Sequence, residues 1–448
     1  MRNIKKPFTV AFGLAILSCA VADARKPNII LFMTDDMGIE CLSTYGAETY
    51  KTPVLDKLAA QGMKFNHCYS QPLCTPSRVK IMTGRYNFRN YTKFKHLDPS
   101  QMTFGHVAKS AGYTTAVCGK WQLDGEQDGS FAKNFGFDSH CLWYFNHKNY
   151  GSRYLHPKLV VDNKSIEVKG GYGPDIVNDF ALKFIDTNKE KPFFLYYPMI
   201  LPHFPFEATP DSKDWDPKVS KAKKDKKYYI DMVQYADKLV GKVVRKIDSL
   251  GLADDTLIMF TSDNGTMRGL HSTWRGMDFP GGKGRLDNTG CHVPFIVRWN
   301  KQVKPGSVSD HLVDFSDFFA TVQEITGGAG PKDYTVDGRS MLGLFRGDDG
   351  YQARTYTYCH YDPKWGTPET GQFARNQSYK VYGGGSVYHV AEDYFEKSPL
   401  KKAPESGAKE LEALRKVVEQ MKSEGSRPEE KLSRGEAAGK KKKAKKKR

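Results

Sequence analysis

Cys74-Thr75-Pro76-Ser77-Arg78 places a thiol about one helical turn ahead of a guanidinium. Thr75 suits a helix N-cap and Pro76 a first helical residue, for a helix running to Thr83 with Gly84 as its stop. Cys74 then stands just before a helix N-terminus, where free backbone N–H groups and the positive dipole end suit a tetrahedral anion. Two further pairs, Asp35-Asp36 and Asp263-Asn264, each end an apolar run. They offer oxygen ligands only, which favours a hard cation such as Ca²⁺ or Mg²⁺ over zinc.

The elements that must position these groups are legible as apolar runs. Residues 28–33 and 257–260 read as strands buried on both faces, stopping at the two acidic pairs. Similar runs at 114–118, 193–197 and 293–299 include one ending near Lys120 and one leading to His203. Helical segments lie between them at 53–61, with Thr52 as N-cap and Gly62 as stop, and at 174–186, 228–250 and 315–325. Strands alternating with helices predict an α/β fold with a large, mainly parallel sheet. In such sheets ligands bind outside the carboxyl ends of the strands, so Asp35, Asp36, Lys120, His203, Asp263 and Asn264 should converge on one edge.

After the Gly-rich break at 327–331 and a loop to about residue 350, the pattern changes to short alternating runs at 355–361, 379–382 and 387–390. These predict a small antiparallel sheet, with Leu411, Leu414, Val418 and Met421 on one face of a helix over 409–421. The expected organisation is a signal peptide over 1–24, a catalytic α/β domain over 25–350, a small α+β subdomain over 351–425 and a disordered basic tail over 426–448.

The 448 residues, 39% apolar and 12% aromatic, exclude a disordered chain and a small disulfide scaffold. Much of the net charge of +17 comes from Arg2, Lys5 and Lys6 and from eight positive residues in 440–448. The body is only mildly basic, and no specific nucleic-acid partner is expected. Residues 1–24 have a basic start, an apolar run over 8–17 and the cleavage choices Ala20-Val21-Ala22 and Ala22-Asp23-Ala24. They predict export to the periplasm or the exterior. The apolar run falls short of the roughly 20 residues of a membrane span, and no later stretch is long and apolar enough for a transmembrane helix. Cys19 leaves with the leader, so seven cysteines remain, and an odd count in an exported protein asks for one with a separate task.

Cys74-Thr-Pro-Ser-Arg78, followed by Thr83-Gly84-Arg85, resembles the signature of the Cys-type sulfatases of the alkaline phosphatase superfamily. Asp35-Asp36-Met-Gly38, Tyr45-Gly46, Gly119-Lys120-Trp121, Pro202-His203-Phe-Pro205, Ser262-Asp-Asn-Gly265 and Gly282-Lys283-Gly284 follow in family order, over about residues 27 to 400. The resemblance implies that a formylglycine-generating enzyme oxidises Cys74 to formylglycine, whose hydrate is the nucleophile. One hydroxyl of a gem-diol can attack sulfur and the other can expel sulfate, whereas a serine would remain as a stable ester. It further implies calcium, with Mg²⁺ as the alternative, held by Asp35, Asp36, Asp263, Asn264 and the modified Cys74. Arg78 would hold the formylglycine hydroxyl, Lys120 and Lys283 would neutralise the sulfate, and His203 would protonate the leaving alcohol. With Cys74 assigned, Cys41, Cys68, Cys118, Cys141, Cys291 and Cys359 form an even set open to fifteen pairings or to free thiols.

Two departures stand out. Gln122 occupies a position where the family commonly has histidine; it can hydrogen-bond the nucleophile but not exchange a proton with it. Asn288 replaces a usual glutamate, and His292 a frequent arginine. Segments 143–154 and 271–279, rich in aromatic and cationic residues, suit a sulfated carbohydrate, with Gln122, Trp274 and Arg275 as substrate contacts. Rival readings are a phosphodiester or phosphonate monoester hydrolase of the same superfamily and a catalytically impaired sulfated-polymer binder. The tail, 440–448, is either a solubilising segment or a tether to polyanions.

Overall fold

The computed structural model describes residues 25–123, 130–144, 151–366 and 369–425. The expected signal peptide and basic tail lie outside the described residues, as does part of the 143–154 segment. Strands in chain order are β1 (Asn28–Thr34), β2 (Met63–Tyr69), β3 (Thr114–Trp121), β4 (Ser139–Tyr144), β5 (Lys158–Val161), β6 (Lys164–Glu167), β7 (Phe193–Pro198) and β8 (Thr256–Ser262). They continue with β9 (His271–Trp274), β10 (Met277–Pro280), β11 (Phe295–Arg298), β12 (Ser307–Asp314), β13 (Thr357–Tyr361), β14 (Gly371–Arg375), β15 (Tyr379–Tyr382) and β16 (Val387–His389). The helices are α1 (Pro53–Ala60), α2 (Cys74–Thr83), α3 (Asn87–Asn90), α4 (Phe104–Ser110), α5 (Gly173–Asn188), α6 (Tyr228–Ser249), α7 (Asn288–Cys291), α8 (Asp317–Thr326), α9 (Leu342–Arg346) and α10 (Ala408–Gly425).

Ten strands form one sheet in the order β12-β2-β11-β8-β1-β7-β3-β4-β5-β6. The block β8-β1-β7-β3-β4 is parallel throughout. The run at 293–299 becomes β11, which lies antiparallel to both β8 and β2. Strand β1 explains why an unbroken apolar run was required. Ile30 and Phe32 join one core with residues of α1, α5 and α6, while Ile29, Leu31 and Met33 join the opposite core with residues of α2, α4 and α8. Helix α6 meets the first core with Met232, Val233, Ala236, Leu239, Val240, Val243 and Ile247, a stripe at three- and four-residue spacing.

A separate antiparallel sheet, β13-β14-β15-β16, follows the large one. Leu411, Leu414, Val418 and Met421 of α10 share a core with Tyr379, Val381 and Val387 of that sheet, as their spacing predicts. Lys80 ties α2 to this subdomain: its buried ammonium lies 2.8 Å from Asp314 and 2.7 Å from the Tyr358 carbonyl.

Local details correct the sequence reading. Helix α2 begins at Cys74 itself, with Leu73 in the N-cap position and no side-chain cap, so Thr75 is not the cap. Ser77 does the neighbouring work, accepting from the Gln71 N–H at 3.0 Å. Thr52 does occupy the N-cap position of α1, as expected, but its side chain makes no capping bond, because its hydroxyl accepts from the Ser43 N–H. The first turn of α1 is held by the Asp237 carboxylate, which accepts from Val54 N at 3.1 Å and Leu55 N at 2.8 Å. The 271–279 segment forms the hairpin β9-β10. All seven described cysteines are buried free thiols, so the even set of six forms no bridges. No described helix is long and apolar enough to cross a membrane.

Candidate active site

Strands β1 and β8 pair in register through Thr34 and Ser262, which delivers the next residues, Asp35 and Asp263, to the same level of the sheet edge. Asp263 N–H donates to the Thr34 carbonyl, and Asp35 N–H donates to Leu201 O beyond β7. Asp36 takes a left-handed backbone, φ 65°, which aspartate tolerates better than most residues. Its N–H reaches Asp263 Oδ1 at 3.1 Å, and its carbonyl accepts from the Tyr229 hydroxyl at 2.8 Å. Lys120 arrives from β3 beside Gly119, where a Cβ would lie 1.9 Å from the Pro198 carbonyl. Only glycine permits that approach.

The charges interlock. Lys120 Nζ lies 2.8 and 2.6 Å from the two oxygens of Asp35. Arg78 donates to Asp263 Oδ2 at 2.8 Å and to the Lys120 carbonyl at 2.9 Å. Lys283 donates to Asp36 Oδ2 at 2.6 Å, and its Nζ stands 3.2 Å from His203 Nε2. Asn264 Nδ2 donates to Asp36 Oδ1 at 2.9 Å. The structure therefore brings Asp35, Asp36, Arg78, Lys120, His203, Asp263, Asn264 and Lys283 together, from the ends of β1, β3, β7 and β8, from α2 and from the 283 loop. Cys74, at the first position of α2, feels the charges of Lys120, Lys283, Asp263 and Asp35.

Burial sets the protonation states, modified by these neighbours. It raises the Asp35 pKa above the usual carboxylate range, with Lys120 opposing. It also raises the Cys74 thiol, again against the pull of Lys120 and Lys283. Burial disfavours the Lys283 ammonium most strongly of any single influence, but Asp36, Cys74 and Asp35 together outweigh it and the lysine is held above its ordinary value. His203 is driven well below the usual imidazole range by burial, then by Lys120, Lys283 and Arg153.

The donor set fits a hard divalent cation. Ligand atoms of Asp35, Asp36 and His203 lie within 4.8 Å of one another. Asn264 Oδ1 is buried without a hydrogen-bond partner, an orphaned oxygen beside three carboxylates. Two lysines and one arginine, Lys120, Lys283 and Arg78, match the three carboxylates in formal charge.

Gln122 lies one residue beyond β3, buried, with Oε1 unpartnered. Trp274 and Arg275 are placed elsewhere: both donate to the Tyr45 carbonyl and line a cavity that includes none of the cluster just described. Arg153, which carried no motif of its own, is a neighbour the sequence reading did not single out. Its Nη1 stands 2.9 Å from His203 Nδ1, and its guanidinium lies 3.7 Å over Trp143. The only signal for it was the aromatic and cationic content of segment 143–154. Both residues line a cavity of about 520 Å³ that reaches His203.

Known proteins resemble this chain in sequence and in fold. The sulfatase family model, "Sulfatase", matches residues 27–328. The chain is 30% identical over 369 residues to the arylsulfatase of Hemicentrotus pulcherrimus, covering 75% of this chain and 64% of that one. It is 31% identical over 372 residues to the N-acetylgalactosamine-6-sulfatase of Rattus norvegicus, covering 75% and 68%. Among solved structures, the crystal structure of Ps i-CgsB superposes with a TM-score of 0.74 at 25% identity, covering 90% of this chain and 93% of that one. The chain belongs to the sulfatase family, within the alkaline phosphatase superfamily. It spans just under two thirds of the arylsulfatase's length.

Proposed function

We propose that this protein hydrolyses sulfate esters of a carbohydrate, with formylglycine made from Cys74 as nucleophile and a divalent cation, calcium by preference, held by Asp35, Asp36, Asp263 and Asn264. The observation that carries this reading is the placement of Cys74 at the first turn of α2, among the charges of Lys120, Lys283, Asp35 and Asp263. The cation would supply positive charge to the sulfate oxygens and lower the pKa of the nucleophilic hydroxyl. Arg78, fixed by Asp263 and the Lys120 carbonyl, is rigid enough to orient that hydroxyl. Lys120 and Lys283 present two ammonium groups to a dianion-like transition state in a site from which water is largely excluded. In the net reaction water cleaves the S–O bond, leaving sulfate and an alcohol that takes one proton.

Proton delivery to the alcohol is assigned to His203 and Lys283 as a pair. His203 by itself is held neutral by burial and three cations, whereas Lys283 keeps its proton 3.2 Å from Nε2. A sulfated sugar as substrate is supported by the name of the rat relative and by the stacked Arg153 and Trp143 beside His203. Export through the 1–24 leader, maturation by a formylglycine-generating enzyme and polyanion tethering by 440–448 belong to the same reading.

The test combines two measurements on protein co-produced with a maturation enzyme. Peptide mass spectrometry should find an aldehyde in place of the Cys74 thiol, and sulfate release should be seen over a panel of sulfated monosaccharides, oligosaccharides and aryl sulfates. Cys74→Ala should stop turnover and leave the fold intact, since no side-chain cap is lost. An active preparation carrying only unmodified Cys74 would refute the nucleophile, and faster cleavage of phosphodiesters or phosphonate monoesters than of every sulfate ester would refute the reaction.

A further inference from the structure

Five residues beyond Lys283, Asn288 lines a second cavity, of about 350 Å³, whose walls include Tyr69, Trp274, Arg275, His292 and Arg375. None of the residues of the Cys74 cluster takes part in it. Its size suits a small ligand, and its aromatic walls with a few polar groups are the usual make-up of a binding pocket.

The decisive feature is Arg375, on β14, which is only 2% exposed. Its Nε donates to the Asn376 carbonyl at 3.0 Å, its Nη1 donates to Asn288 Oδ1, and the guanidinium lies 3.9 Å over the Tyr69 ring. Among the described residues it forms no ion pair, and Nη2 has no hydrogen-bond partner. A buried guanidinium normally has a carboxylate beside it, because an uncompensated buried charge is strongly unfavourable. Here the residue in that place is an amide, whose oxygen carries only a partial charge.

The rest of the lining does not neutralise the cavity. Arg275, which is exposed, is stacked in a similar way, with its guanidinium 4.6 Å over Trp274, Nε on the Tyr45 carbonyl and no ion pair among the described residues. Asp310 is the acidic residue of the lining, is exposed, and accepts from Asn66 Nδ2 at 2.7 Å. His292 is engaged on both nitrogens, by the Tyr394 hydroxyl at 3.0 Å and the Asn66 carbonyl at 2.9 Å. The buried Arg375 therefore lacks a counter-charge in a cavity with aromatic walls, and the exposed Arg275 adds a second positive charge to the lining.

We propose that this cavity binds an oxyanion, a sulfate or carboxylate group carried on a sugar ring, with Arg375 as its charge partner and Tyr69, Trp274 and Tyr394 as the walls against which the ring lies. Guanidinium groups bind such oxyanions through paired N–H donors, and aromatic faces suit the apolar side of a sugar. The site is separate from the reaction and does not depend on turnover. It gives Trp274 and Arg275 a ligand at a place other than the Cys74 cluster.

The test uses full-length protein and three probes: selenate in crystals, and inorganic sulfate and a uronic or sulfated disaccharide in solution. An anomalous peak within hydrogen-bond distance of Arg375 is expected, distinct from any peak at Lys120 and Lys283. Asn288→Asp places a carboxylate against the guanidinium without removing the arginine. It should abolish that peak, keep the one at the lysines, and weaken disaccharide binding at this cavity by about tenfold or more. Arg375→Gln should have the same effect, and Asn288→Asp keeps the test valid if that variant misfolds. Tighter binding of inorganic sulfate than of either disaccharide would overturn the sugar-borne assignment. No peak beside Arg375 in wild-type crystals whose lysine site is filled, or an unchanged peak in Asn288→Asp, would overturn the site.

Discussion

Lys283 Nζ lies 2.6 Å from Asp36 Oδ2, so an ammonium already occupies a buried carboxylate that is also a candidate cation ligand. Lysine and a divalent cation would compensate the same negative charge. Lys283→Met should lower turnover by about 100-fold or more, the usual scale for removing one charged donor to a transition state. It should also enlarge the rise in melting temperature on adding calcium, because Asp36 is then left for the cation alone. Scanning calorimetry with and without calcium checks this, and an identical calcium shift in variant and wild type would refute the shared-charge account.

Asp263 has two tasks, accepting from Arg78 and from the Asp36 backbone N–H. Asp263→Ala leaves the Arg78 guanidinium buried with the Lys120 carbonyl and one distant carboxylate, Asp35 at 3.7 Å. Removing one member of a buried pair costs about 3–5 kcal/mol. The variant should lose bound calcium, activity and stability together. Asp263→Asn, which keeps the shape, should lose calcium and activity with a smaller drop in the urea midpoint. Retention of stoichiometric calcium by Asp263→Ala in elemental analysis would remove Asp263 from the ligand set.

What could be read from sequence follows from how each element is buried. Strands β1, β3, β7 and β8 are covered on both faces, so their apolar runs were unmistakable, and the polar residues that end them had to meet at one edge. Strands β5 and β6 are partly exposed four-residue elements at one end of the sheet, and β2 and β12 mix polar with apolar residues, so none was legible. Helix α2 buries all ten of its residues and starts without a side-chain cap, which left its first residue undetermined locally. The cap of α1 comes from Asp237, about 180 residues away, and the contact of Arg153 with His203 likewise depends on tertiary structure. Trp274 and Arg275 have the right chemistry for a sulfated sugar, but their hairpin carries them to the Arg375 cavity.

Arg153, stacked on Trp143 beside His203, is positioned to meet the part of a substrate that lies beyond its scissile sulfate. Arg153→Met keeps an apolar chain against Trp143 and removes the charge. With a sulfated oligosaccharide, KM should rise by about tenfold, the scale of one charge-assisted hydrogen bond. With a small aryl sulfate, KM should be nearly unchanged. Steady-state kinetics on the two substrates separates the effects, and an equal rise on both would assign Arg153 to the sulfate group itself.

Asp237 offers a test of how burial and hydrogen bonding compete far from the site. Its carboxylate, on α6, accepts two N–H groups from the first turn of α1, yet burial comes first among the influences on it and raises its pKa from 3.8 to about 6. The folded chain therefore holds a proton that the unfolded chain has already released between about pH 4 and 6. Within that interval the folded state binds more protons, so the stability this group contributes falls as pH rises and levels off above the folded pKa. Asp237→Asn does not titrate and keeps one oxygen acceptor for α1. The stability of wild type minus that of Asp237→Asn should then be largest near pH 4 and shrink towards pH 7, with the other carboxylates cancelling in the difference. Urea midpoints measured at four or five pH values give the slope directly. A difference that grows with pH would mean that the two N–H donors outweigh burial and hold Asp237 ionised in the folded chain.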